Sequence, residues 1–299
     1  MEYTADDRVH IPVLAEEVVD YLQPQSGHII LDGTVGSGGH AMRIMEKIQP
    51  DGLLIGVDKD MEILRIAKQT LSKTVGTFRL YHADYSEVNE VLRQAGVVKV
   101  DGVLLDLGAS SMQFDQAERG FSFAKEGPLD MRMDRSGGRT ARDLIRRLSE
   151  RELEDVLKRY GEERWSRRIA RAVQREEREA GITSTRQLAA VVERVVPRGK
   201  SKIHPATRVF QALRIAVNKE LEGLEVFLDT IHNYMTTGAR IAIISFHSLE
   251  DRVVKKKFVE RANHGLFRIL TRKPVIPSEA EMEKNIRSRS AKLRAAERI

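Results

Sequence analysis

HIILDGTVGSGGHAMRIMEKIQPDGLLIGVD, residues 28–58, holds two short apolar runs, each closed by an acid, with a glycine-rich turn and a helix-spaced segment between them. His28–Asp32 and Gly52–Asp58 have the length and continuous apolar content of strands covered on both faces, and Ala41–Lys47 has helical spacing. The rhythm then repeats. Met61–Leu71 is helical, Phe78–His82 is a third strand, Tyr85–Ala95 is helical, and Val100–Leu107 is a fourth strand, almost wholly apolar. Four β–α repeats with buried strands predict a parallel, doubly wound α/β sheet, because right-handed crossovers leave few other topologies.

From about Gln113 to Pro205 the strand pattern disappears. Helical runs are expected at Thr140–Arg147, Glu150–Lys158, Glu163–Glu179 and Thr185–Val195, with an N-cap in Thr183-Ser184-Thr185 and a stop at Pro197-Arg198-Gly199. Pro205–Leu228 has the pattern of one long amphipathic helix. Ala239–Ser245 is a fifth strand, Ser248–Val259 a helix, and Phe267–Thr271 and Ser288–Arg294 are expected to supply edge strands. The expected organisation is a sheet domain in two parts, 1–112 and 206–299, interrupted by an all-helical insertion, 113–205.

At 299 residues the chain accommodates one domain with an insertion, or two. Cysteine is absent, which excludes disulfide frameworks, thiolate metal sites and cysteine nucleophiles, and the eight histidines are scattered, so no metal is expected. Aromatics at 5% argue against a β-sandwich. No run approaches the roughly 18 apolar residues of a membrane span, and Met1–His10 is polar and acidic; a soluble, cytoplasmic chain with no membrane partner is expected. Charge is unevenly spread. Residues Arg135–Lys202 hold 19 Lys and Arg against 11 Asp and Glu, a net of +8 in a chain of net +6, so the remainder is negative. Arginine dominates, as in Arg164, Arg167, Arg168, Arg171, Arg175 and Arg178, and guanidinium groups fork phosphates and stack on bases. The competing expectation is a solvated face of Glu/Arg pairs, since Glu162, Glu163, Glu176, Glu177 and Glu179 interleave.

In an open parallel sheet the ligand lies beyond the carboxyl ends of the strands, where strand order reverses. The exits are Asp32 with the glycine loop, Asp58, Asp84-Tyr85, Asp106, and Ser245-Phe246-His247, and four of the five carry an acid. Gly36 and Gly38 allow close backbone approach at a helix N-terminus, where free amides favour an anion. Asp58, 22 residues past Gly36, stands where an acid accepts ribose hydroxyls. These features are shared by nicotinamide dinucleotide and S-adenosylmethionine enzymes. The remaining acids favour the second, whose ligand carries an ammonium and a sulfonium, whereas a pyrophosphate would be repelled. Asp84-Tyr85 would bracket an adenine. A non-enzymatic RNA-binding or assembly factor is the third alternative.

Asp32–His40 (DGTVGSGGH) and Leu104–Ser111 (LLDLGASS) resemble the RsmH (MraW) family of bacterial small-subunit ribosomal RNA methyltransferases. So do Glu118–Phe123 (ERGFSF), Gly127–Met133 (GPLDMRM), His204–Arg208 (HPATR) and Ser245–Asp251 (SFHSLED). The resemblance runs from His10 to near the C-terminus. It implies a class I methyltransferase (Rossmann-like) sheet with an RNA-recognising helical insertion, and S-adenosylmethionine as cofactor. The implied reaction is methylation of the exocyclic N4 of a decoding-site cytosine in 16S rRNA of the small ribosomal subunit; a homodimer is admissible.

By the same resemblance Gly36, Gly38, Gly39 and His40 contact the cofactor, Asp58 holds the ribose, Tyr85 the adenine, and Asp106 and Gln113 the methionine end. Some relatives carry Phe where Tyr85 stands, so stacking is the shared role. Many amino-methyltransferases place an Asp/Asn/Ser-Pro-Pro-aromatic tetrapeptide after the fourth strand; Asp106–Ser111 stands there instead. Asp106 or Ser110 is therefore expected to accept from the amine, with His247 orienting the base or taking a proton. His204, Arg208 and Asp130–Asp134 are expected at the pocket mouth, the last alternatively as a local charge pair. Arg164–Arg178, Lys200 and Lys202 would grip phosphates, and Trp165 would stack a base or anchor packing.

Overall fold

In a computed structural model residues 12–197 and 204–299 are described; Lys200 and Lys202 lie outside them. The chain forms two compact units, one from the chain up to Gly108 together with Leu221–Ile299, the other Ala109–Glu220. The first unit carries the sheet. Its strands are β1 (Ile29–Asp32), β2 (Leu53–Asp58), β3 (Thr77–His82), β4 (Val100–Asp106), β5 (Met235–Ser245), β6 (Phe267–Ile269) and β7 (Lys292–Arg298), in the order β3-β2-β1-β4-β5-β7-β6. The first five strands are parallel, as in the pairings Leu31↔Ile55, Leu31↔Val103 and Leu105↔Ile243. Strand order reverses between β1 and β4. This is the doubly wound, Rossmann-like α/β architecture that the β–α repeats imply.

β7 departs from expectation. It is antiparallel and lies inside the sheet between β5 and β6, not at an edge, and it begins at Lys292 where Ser288 was expected. Leu293, Ala295 and Ala296 are buried in it, small enough to be covered on both faces, and Arg294 is held by Asp251 with Nε to Oδ1 at 2.6 Å.

Helices α1 (Ala15–Leu22), α2 (Gly39–Ile48) and α3 (Met61–Leu71) cover one face; α4 (Val88–Ala95) packs on the other. Alternation along the strands divides the two cores: Ile30, Leu54, Leu104 and Ile244 pack with α1–α3, while Leu31, Ile55, Leu105 and Ile243 pack with α4. Each such fully buried side chain contributes about 1.5–3 kcal/mol relative to exposure.

The second unit is helical: α5 (Ser111–Asp115), α6 (Ala141–Arg147), α7 (Glu150–Gly161), α8 (Ser166–Glu179), α9 (Thr185–Val195) and α10 (Ala206–Asn218). Ser149 and Ser184 close capping boxes at the starts of α7 and α9. Its core holds Ile145, Leu153, Leu157, Ile169, Val173, Leu188, Val192, Val209 and Leu213. The buried Arg119 donates from Nη2 to the carbonyls of Arg132 and Met133, and tethers the Asp130–Asp134 segment.

The long helix expected over Pro205–Leu228 is two. α10 stops at Lys219, which takes a left-handed φ of 51°, and α11 (Glu220–Thr230) restarts in the sheet unit from Leu221. Asn218 causes the stop. Its Nδ2 donates to the carbonyls of Met131 and Arg214, and its Oδ1 accepts from the Met133 amide at 2.8 Å. The units consequently divide after Gly108 and after Glu220, where the sequence suggested 112 and 205. α12 (Ser248–Asn263) and α13 (Glu279–Lys284) complete the sheet unit, and no described helix is long and apolar enough to cross a membrane.

Candidate active site

The switch point between β1 and β4 is built on backbone. Gly33 N donates to the Leu104 carbonyl at 2.9 Å, and Thr34 Oγ1 accepts from the Asp106 amide at 2.6 Å, which ties the glycine loop to β4. Gly36 N donates to Asp58 Oδ2 at 3.0 Å, which ties the same loop to β2. Gly38 has φ 93°, a conformation that a Cβ would strain, and it stands as the N-cap of α2 without any side-chain cap. The first amides of α2, at Gly39 and His40, therefore open onto the loop with the positive end of the helix dipole behind them.

Around this loop the structure gathers Asp32, Asp58, Asp106 and His40. Asp32 is 1% exposed; Oδ1 accepts from the Thr34 amide at 3.2 Å, while Oδ2 is buried and has no hydrogen-bond partner among the described residues. Burial pushes its carboxyl up to about 7, against the opposing pull of His40 and the Thr34 amide. Burial likewise raises Asp58 to about 6, although its oxygens accept from the amides of Asp60 and Gly36. His40 is 7% exposed, neither ring nitrogen has a hydrogen-bond partner among the described residues, and Nε2 lies 3.6 Å from Asp106 Oδ2. Asp106 Oδ1 is also buried and without one among the described residues. Unsatisfied buried polar atoms cost about 1–3 kcal/mol each, so a cluster of them marks a place for a polar ligand. The charges are mixed: carboxylates for a cation, helix amides for an anion. A zwitterion with one further positive charge fits that set, and a pyrophosphate does not.

The other exits differ. Burial pushes the Asp84 carboxyl up, but Lys59, 2.5 Å away, and the Ser86 amide and hydroxyl draw it below the usual carboxylate range. Asp84 is thus an ion-pair partner of Lys59 and the cap of the turn Tyr85–Glu87. Tyr85 is half-buried, its ring edge-on to Phe227 at 5.7 Å, and Gly223 of α11 would bring a Cβ to 3.8 Å from that ring. At the fifth exit His247 caps α12: Nδ1 accepts from the Glu250 amide at 3.3 Å, and Nε2 lies 3.2 Å from Glu250 Oε1.

Ser110 and Gln113 belong to the helical unit, where they close a capping box on α5, Ser110 Oγ accepting from the Gln113 amide and Gln113 Oε1 from the Ser110 amide. His204 stacks on Phe123 at 4.4 Å and pairs with Glu193 at 2.5 Å, and Arg208 donates to the Glu162 carbonyl; these are contacts within the helical unit. Asp130 grips Arg132 through both oxygens, at 2.7 and 2.9 Å, which favours the local charge pair. Asp32 was placed at a strand exit by the sequence but not counted among the site residues; its signal was the acid closing the first apolar run.

On α8 the buried side is Ile169, Ala170, Val173 and Gln174, and Arg167, Arg168, Arg171, Arg175 and Arg178 are exposed, continuing Arg164. The interleaved glutamates turn elsewhere: Glu176 pairs with Arg194 at 2.5 Å and Glu177 with Arg146 at 3.6 Å. Arg171 reaches Glu150; Arg167, Arg168, Arg175 and Arg178 have no ion-pair partner among the described residues. Trp165 is half-buried beneath the Arg164 guanidinium, 5.2 Å from its ring centre.

Residues 7–299 match the model of the MraW methylase family. A protein of Trichlorobacter lovleyi named ribosomal RNA small subunit methyltransferase H is 48% identical over 307 aligned positions, covering 97% of this chain and 98% of its own. A protein of the same name from Syntrophobacter fumaroxidans is also 48% identical, covering 97% of this chain and 96% of its own. Among solved structures, NSun6 from Pyrococcus horikoshii superposes with a TM-score of 0.48 at 12% identity, covering 100% of this chain and 56% of that one.

Proposed function

The chain belongs to the MraW methylase family, and we propose that it is an S-adenosylmethionine-dependent methyltransferase of small-subunit ribosomal RNA whose target is the exocyclic N4 of a decoding-site cytosine in 16S rRNA. The observation that carries this reading is the group of buried polar atoms on Asp32, His40 and Asp106, without hydrogen-bond partners among the described residues, beside an uncapped helix N-terminus. S-adenosylmethionine supplies an activated methyl group on a positive sulfonium. Gly36, Gly38, Gly39 and His40 line its amino-acid end, Asp58 accepts from the ribose, Tyr85 gives the adenine an aromatic wall, and Asp106 attends the methionine end.

An exocyclic amine of cytosine is a weak nucleophile because its lone pair is delocalised into the ring. It needs in-line placement and an acceptor that holds an amine hydrogen and draws the nitrogen towards tetrahedral geometry. Asp106 is the first choice for that acceptor, since Oδ1 carries an unused lone pair. Ser110 follows it in the chain and is the second. His247, already engaged with Glu250 through one nitrogen, acts as a positioning residue for the fifth exit.

Titration with S-adenosylhomocysteine and NAD side by side separates the alternatives. Saturable binding of the first alone is expected; binding of NAD alone would overturn the assignment, and RNA affinity with neither would leave a binding factor.

The helical unit grips RNA phosphates through the α8 stripe, whose members recur every three or four residues and so share one face. Affinity for a single-stranded 16S fragment is expected to fall steeply with salt, with a logarithmic slope of about −0.7 per phosphate contacted. Arg168→Ala with Arg175→Ala should flatten that slope by roughly 1–2. An unchanged slope would move the RNA surface off α8.

A further inference from the structure

We propose that Asp32 carries a proton while the pocket lacks a cationic ligand and releases it when the methyl donor binds, so that the pocket tells the cationic donor from its neutral-sulfur product by proton count. This rests on the cofactor assignment above and adds a residue to it.

The geometry is that of too many acids for one buried space. Three elements present charge to Asp32: His40 from α2, Asp106 from the end of β4, and Asp58 from the end of β2. Asp58 accepts two backbone amides, at 3.0 and 2.9 Å, and Asp106 faces His40 at 3.6 Å. Asp32 has one backbone amide, at 3.2 Å, and an oxygen with no hydrogen-bond partner among the described residues. Of the three it is the most deeply buried, 1% exposed where the Asp106 side chain keeps 20% and Asp58 is half-buried, and that burial pushes its carboxyl upward.

Charge conservation gives the proton a use. As the amine nitrogen bonds to the methyl carbon, the carbon–sulfur electron pair stays on sulfur, the sulfonium becomes a thioether, and the nitrogen sheds one proton. The pocket has then lost one positive charge, and a proton taken up by Asp32 replaces it. The product is held by a neutral acid in place of a carboxylate.

The test is calorimetry of the full chain at pH 6.5 in buffers of different ionisation heat, titrating S-adenosylmethionine and S-adenosylhomocysteine. The donor should release about 0.5–1 proton more than the product analogue. Asp32→Asn should abolish that difference and reduce the preference for donor over product by about tenfold, one unit of coupling. Equal proton release by the two ligands in the unaltered chain, which needs no variant, overturns the proposal, as does a difference that survives in Asp32→Asn. If both ligands bind with equal counts, this inference alone fails; if neither binds, the cofactor assignment fails with it.

Discussion

Asp106→Asn is expected to slow methyl transfer about 10²–10³-fold in single turnover at saturating cofactor, the range seen when one preorganised polar contact at a reacting centre is lost. The substitution is nearly isosteric. The Asp106 amide keeps its bond to Thr34 Oγ1, so the β4 exit stays in place. What changes is the side chain: a carboxylate that only accepts becomes an amide that also donates, beside an amine that must give up a hydrogen. His40, 3.6 Å away, also loses its negative neighbour. Cofactor affinity should fall by no more than about tenfold, because Asp32 and Asp58 remain, and roughly one unit of electrostatic coupling is what a single neighbour supplies. Full transfer at unchanged affinity would remove Asp106 from catalysis and pass the role to Ser110.

Asp32→Asn is expected to have the opposite signature on stability: the ligand-free protein gains. The folded-state carboxyl titrates at about 7 and that of an unfolded chain near 3.8, so the contribution of Asp32 is fully present below 3.8 and is lost as pH rises towards 7. Above that window the native state must hold a buried anion, at a cost on the order of 2–4 kcal/mol. Asparagine keeps the acceptor for the Thr34 amide and carries no charge. The melting temperature of the ligand-free variant at pH 7.5 should therefore rise by roughly 4–8 °C, with little change at pH 4.5. Scanning calorimetry at the two pH values checks this. A variant that melts lower at pH 7.5 would mean that Asp32 is already ionised and paired in the native state.

The parts of the molecule that could be read in the sequence are those set by local pattern. An apolar run closed by an acid locates β1, β2 and β4 because a strand buried on both faces must be apolar throughout, and a polar residue can appear only where it leaves the sheet. The same pattern located Asp32, Asp58 and Asp106. Interactions between distant residues were hidden. Nothing between Ala206 and Leu228 announces a break, since the apolar spacing continues; the helix ends because Asn218 is claimed by Met131 and Met133. β7 carries Lys, Arg and Glu among its seven residues and reads as surface until Asp251 neutralises Arg294. Asp84 looked like the other exits, and only its pairing with Lys59 distinguishes it. At His247 the sequence shows a histidine before a helix, and the capping role follows from Glu250 three residues on.

β4 and β5 are neighbours in the sheet, yet the chain between them makes the whole of Ala109–Glu220. In connectivity the helical unit is an overgrown crossover. The entropy of closing a loop grows only with the logarithm of its length, about 0.6 kcal/mol per doubling, so the sheet tolerates an excursion of almost any size at that point. The excursion between β4 and β5 can therefore change in length and content while the parallel pairing of the two strands is kept.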